Sequence, residues 1–159
     1  MQTIYGEMKP GFAGMIADVS NRSISSFAAE EGVNPGVPVV RGTDTQYQIK
    51  NVDTGSAANA FGIVVHEHKE PETPYFPVGH PVGVMTHGRI WVNVTGAVTA
   101  GKVANYDTDK KAFTQGEVSG NIVKLGIVCQ FLTNTTGDGI AVVEIFGPAA
   151  ATEVTEATE

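Results

Sequence analysis

The stretch Val82-Gly83-Val84-Met85-Thr86-His87-Gly88-Arg89-Ile90-Trp91-Val92-Asn93-Val94 decides the fold class. It is rich in β-branched residues, and its second part alternates. Ile90, Val92 and Val94 fall on one side of an extended chain, Trp91 and Asn93 on the other. Helices favour leucine and alanine, whereas branched side chains pack well on a pleated, half-buried surface. His87-Gly88 reads as the turn of a hairpin whose arms are 82–86 and 89–94.

The same punctuation extends to both sides. Upstream, Asn34-Pro35-Gly36 makes a turn, and Val37-Pro38-Val39-Val40 makes a short strand whose proline suits an edge or a strand start. Residues 47–52 alternate, 61–67 form an apolar strand, and a proline-rich loop over 69–77 carries Tyr75 and Phe76. Downstream, 102–106 is followed by the polar turn Asp107-Thr108-Asp109-Lys110, a long β-branched run over 122–132, and a closing strand over 140–146. Roughly seven to nine short strands divided by such turns predict an all-β domain over 32–147, an antiparallel β-barrel or a jelly-roll-like sandwich.

Two ends flank it. Residues 1–31 are the least sheet-like part and read as an extended N-terminal segment, either a cover over one barrel end or an arm to a neighbouring subunit. Within it, 11–17 is apolar but small, and 25–31 fits one helical turn stopped by Gly32. Residues 148–159 lack apolar periodicity and read as a flexible acidic tail. An internal echo links the halves. Gly36-Val37-Pro38-Val39 precedes Gly62-Ile63-Val64-Val65 by almost the interval at which Gly101-Lys102-Val103-Ala104 precedes Gly126-Ile127-Val128-Cys129. It reads as a duplicated β unit or as a chance recurrence of glycine turns.

The 159 residues fit one domain of the usual roughly 100–150 residues, with a core that needs no metal or disulfide. Charged residues make up 17 %, low against the roughly 25 % of an ordinary soluble domain, which suits a surface covered by neighbours. The net charge is −7 and the cations are scattered, so no nucleic-acid partner is expected. No apolar run approaches the roughly 20 residues of a spanning helix, and Met1 to Glu7 lack the pattern of a signal peptide, so no membrane partner is expected. Cys129 is the only cysteine and sits in an apolar run, as a buried thiol would in a protein made in a reducing cytoplasm.

The chemistry-bearing residues form no recognisable site. His66 and His68 share a strand face by period two, but further metal ligands would have to come from His80 and His87. No serine stands in a nucleophile elbow, and Lys111 and Phe113 stand where a calcium loop beginning at Asp107 would need oxygens. No catalytic residue, metal or cofactor is expected. Contact candidates are Phe12, Met15 and Ile16 in the small-residue segment, and Tyr75 and Phe76, which Pro74 and Pro77 stiffen.

The order of these pieces resembles the structural cement or head-decoration proteins of tailed bacteriophages. The resemblance rests on Gly11-Phe12-Ala13-Gly14-Met15-Ile16-Ala17-Asp18 and on Ala29-Glu30-Glu31-Gly32-Val33, followed by Pro35-Gly36 and Pro38-Val39. It continues through Phe61-Gly62-Ile63-Val64, the 75–84 stretch, Gly88-Arg89-Ile90-Trp91-Val92 and Gly101-Lys102-Val103. It implies a protein without active site or cofactor on the outer face of a phage head, made in the host cytoplasm. Its dimers or trimers would bridge subunits of the major capsid protein. A carbohydrate-binding or other adhesive β module of a virion is the alternative, and would require an aromatic platform beside polar groups.

Overall fold

The structure is a computed structural model that describes residues 11–148. Ten strands follow one another: β1 (Ile16–Ala29), β2 (Pro38–Arg41), β3 (Gln48–Asn51), β4 (Gly62–Val64), β5 (Pro81–Val94), β6 (Asn105–Asp107), β7 (Ala112–Thr114), β8 (Ile122–Val123), β9 (Ile127–Phe131) and β10 (Gly139–Pro148). A single 3-10 turn, Ala57–Asn59, separates β3 from β4.

The pairings run in two circuits that share β5. In the first, β1 lies parallel to β3, and β3–β2, β2–β4, β4–β5 and β5–β1 are antiparallel. In the second, β5 lies parallel to β7, β7 pairs β6, and Val103 just before β6 bridges Gln130 of β9. The pairs β9–β10 and β10–β5 return the path to its start. The sheet is therefore mixed, not antiparallel throughout as expected, and its layout is two circuits, not one barrel or a jelly-roll sandwich.

Three local expectations are corrected. The sheet starts at Ile16, and 25–29 is strand instead of a helical turn, because β5 pairs it residue by residue from Ile24↔Met85 to Ala28↔Pro81. His87 and Gly88 lie in the middle of β5 and make no turn. They pair Ser23 of β1 and Ile145 of β10, so the chain runs straight from one circuit into the next. The run over 122–132 breaks into β8 and β9 at Gly126, whose N–H donates to the Ala57 carbonyl (2.9 Å). A Cβ at Gly126 would stand 2.1 Å from the Ala58 carbonyl oxygen, so only glycine fits this approach.

The circuits are copies of one unit. β1 and β5 each have 14 residues and hold the same place. Ala29↔Ile49 recurs as Val94↔Phe113, Arg41↔Ile49 as Tyr106↔Phe113, and the Val33↔Phe76 bridge as Val98↔Thr135. Single hydrogen bonds repeat as well. Glu30 N–H donates to the Ile49 carbonyl and Thr95 N–H to that of Phe113, while Gly36 N–H donates to Val64 and Gly101 N–H to Phe131. The echo in the sequence is thus a duplication, although the pairings set Gly62 against Cys129 and not against Gly126.

Each unit has its own apolar interior. Val33, Val39, Ile49, Val64 and Val84 fill the first, and their counterparts Val98, Ala104, Phe113, Phe131 and Val143 fill the second. The second cluster is larger because it also takes up Val40, Ile63 and Met85, which point away from the first interior. That extra burial joins the units.

Candidate functional site

Two of the sequence-nominated regions meet at one place. Residues 11–15 run back across β5 and are fixed by three backbone bonds. Gly14 N–H donates to the Trp91 carbonyl (2.8 Å), Trp91 N–H to Met15 (2.9 Å), and His66 N–H to Gly14 (2.8 Å). Gly14 sits at φ +85°, and a Cβ there would stand 2.5 Å from Pro35 and 2.8 Å from the His66 nitrogen. Any other residue would lift the segment off the sheet.

This crossing sets Phe12 on the proline-rich loop, with His66 as the link. The Phe12 ring meets the His66 imidazole edge-on with centroids 4.4 Å apart, and His66 lies 5.1 Å from Tyr75. The Tyr75 hydroxyl donates to the Glu67 carbonyl, and His66 Nε2 lies 3.2 Å from that same hydroxyl oxygen. The hydroxyl has one proton, so His66 donates from Nε2 to it. Burial, and then the nearby His68, hold the imidazole below its ordinary pKa, so it is neutral at pH 7. Lys69 Nζ stands 5.0 Å from the Tyr75 ring centre and 3.5 Å from Glu72. The patch therefore presents a half-exposed phenyl ring, a phenol edge and the Lys69–Glu72 ion pair, in which the carboxylate is the more exposed partner.

The other candidates divide. Phe12 is 48 % exposed, while Met15 and Ile16 are half-buried, Ile16 starting β1 opposite Ile90. Phe76 is a correction: its ring is fully buried. Both its backbone groups bond to Val33 (3.0 and 3.1 Å), which drives the ring into the first interior and leaves Tyr75 facing outward. A groove of about 310 Å³ separates Phe12 and Ala13 from Asn93 and Ile140. His66 was missed as the link because nothing in sequence spacing ties it to Phe12 or Tyr75.

Among the described residues, no three His, Cys, Asp or Glu side chains are placed to hold a metal ion. His80 Nδ1 lies 2.7 Å from the Pro81 carbonyl oxygen, and His87 Nδ1 lies 3.1 Å from that of Asn21. Burial pushes the Cys129 thiol up to about 12, so it stays protonated. No described helix is long and apolar enough to cross a membrane.

A family model described as "Structural cement protein (E217 gp24/Pam3 gp6)" matches residues 1–146. No curated protein sequence matches the chain. Among solved structures, a chain from "The capsid of Myoviridae Phage XM1" is similar in fold, with a TM-score of 0.70 at 15 % identity. The match covers 89 % of this chain and 93 % of that one.

Proposed function

The chain belongs to the structural cement protein family of phages, and we propose that it works from the outer face of the head, gripping the major capsid protein through the Phe12–His66–Tyr75 patch. As a cement protein it stabilises capsid contacts and is not an enzyme. The observation that carries the outward grip is the patch itself. Phe12 is held half-exposed by a segment tied down at Gly14 and Met15, so docking costs little ordering entropy. Met15 and Ile16 position the ring, and Tyr75 and Lys69 supply the polar rim. The net charge of −7 suits the side of the shell away from packaged DNA. Dimers or trimers on the lattice would multiply modest contacts through effective concentration.

Binding of Phe12→Ser/Lys69→Glu protein to undecorated heads tests this reading. The variant should saturate heads at least about tenfold more weakly, a loss of about 1.4 kcal/mol, with an unchanged β circular-dichroism spectrum. Binding equal to the natural protein would refute the patch as the grip.

A further inference from the structure

Trp91 of β5 and Ser26 of β1 hold one position of the repeat, as do Arg89 and Ile24. On β5 this edge is occupied. Gly14 N–H donates to the Trp91 carbonyl (2.8 Å), Trp91 N–H donates to that of Met15 (2.9 Å), and Asp18 pairs Arg89. On β1 the same edge holds β3 only from Ala28 onward, where Ala28 N–H donates to the Tyr47 carbonyl (2.7 Å) and Glu30 N–H to that of Ile49 (2.9 Å). By the two-residue period the backbone groups of Ser26 and Ile24 face the same way as those of Ala28. Among the described residues no strand pairs them on that side, and both residues are exposed. A cavity of about 290 Å³ adjoins this edge. Ser26 and Gly83 pair side by side within it, and a Cβ at Gly83 would stand 3.4 Å from Ile24 and 3.9 Å from Val65, so the glycine is the low point between two apolar walls. His66 and Glu67 also line it, which makes it continuous with the Phe12–His66–Tyr75 patch.

We infer that a short extended segment of the major capsid protein adds to the sheet here, as an antiparallel strand on the Ile24–Ser26 edge. The inference rests on the cement reading and deepens it by naming the conformation of the partner. The segment's main chain bonds to Ile24 and Ser26 as Gly14 and Met15 bond to Trp91, and one of its apolar side chains lies over Ser26 and Gly83. A second β1 does not fit. Laid antiparallel on Ile24–Ser26, its own residues 20–22 would run into β3, which already holds the edge at Ala28. The edge is also short, because the register slips between Asp18 and Ile24 and Asn21 stands at φ +52°. Irregularities of this kind keep long strands off an edge while leaving room for a short one. The described chain starts far from it. Gly11 lies against the Trp91 ring, roughly 20 Å along β5 from Met85, the residue that faces Ile24.

Residue-resolved backbone hydrogen exchange and the head binding of Ser26→Pro test the inference. Proline at this position removes only an N–H that points away from β5, which an edge strand tolerates. In the free natural protein the amides of Ile24 and Ser26 should exchange at least about tenfold faster than those of Ser25 and Phe27, and on undecorated heads they should slow by at least about tenfold. Ser26→Pro should keep its β circular-dichroism spectrum and saturate heads about tenfold more weakly. Slow exchange of Ile24 and Ser26 in the free protein overturns the inference: the edge is then covered by the chain itself or, where the slowing grows with concentration, by a second copy. Unchanged exchange on heads, or Ser26→Pro binding like the natural protein, overturns it too. Weak binding of Phe12→Ser/Lys69→Glu alongside that result would leave the patch as the grip. Natural protein that ignores heads refutes the cement reading and the inference with it. Should Ser26→Pro lose its β spectrum, Ile24→Glu, on the same edge and in the wall of the cavity, takes its place under the same criteria.

Discussion

β1 and β5 are the same strand of the repeat, 14 residues each, in opposite surroundings. In β5 the residues on one side, from Val82 and Val84 to Ile90, Val92 and Val94, are buried, whereas β1 is exposed from Val19 through Ser26. Val84 and Val19 hold one position, at 0 and 75 % exposure. The difference lies in the neighbours. The first half of β5 has β4 on one edge and β1 on the other, and its second half has β10. The first half of β1 meets only β5, at Ile16 and Asp18, before the register slips. The same backbone path becomes core or surface according to what lies beside it, and the residues follow: β1 carries Ser20, Ser23, Ser25 and Ser26 where β5 carries Met85, Gly88, Ile90 and Trp91.

Paired substitutions turn this contrast into numbers. The largest effect should fall on Ile90, fully buried in the second interior, where Ile90→Ala costs about 2–5 kcal/mol in urea unfolding. Its counterpart Ser25→Ala should stay within about 0.5 kcal/mol. A comparable loss at Ser25 would break the contrast. Next come the two valines. Val84→Ser should cost about 2–3 kcal/mol, since it exchanges buried apolar area for a hydroxyl in a dry site, and Val19→Ser close to none. Equal midpoints for these two variants would mean that β1 is covered after all.

The smallest effect concerns the segment that leads into β1. His66 fastens it, and the folded-state pKa of His66 lies below the ordinary 6.5. The stability contributed by the neutral imidazole is complete above about pH 6.5 and is lost as pH falls through the folded value. Urea midpoints should drop between about pH 7 and pH 5, and drop less in His66→Gln. The same slope in the variant would detach the pH response from this residue.

Much of the sheet is legible in the sequence because β-branched runs and turn residues report local geometry. Pro38 opens β2 as expected, and the closing strand is where Ile140 to Phe146 place it. What stays hidden depends on distant partners. β1 lacks alternation because neither side of its exposed stretch is buried, so its serines resemble a loop. His87-Gly88 looks like a turn because glycine marks many turns, yet here different partners pair the chain on either side of it. Tyr75 and Phe76 look alike in a proline-rich loop, and only the bridge to Val33 decides which ring goes inside. The duplication is faint for the same reason. The faces that differ most, Ile63 against Gln130 and Met85 against Glu144, are those whose neighbours differ. Of the contact patch, Phe12 and Tyr75 can be nominated from the sequence, but not their meeting.

Sharing β5 also binds the fates of the two units. Two domains joined by a linker can open one at a time, each keeping its own transition. Here, loss of the first circuit strips β5 of β4 and β1, and loss of the second strips it of β10. Neither half can melt and leave the other whole, so the duplicated chain behaves as one cooperative body with no natural point of fracture between its copies.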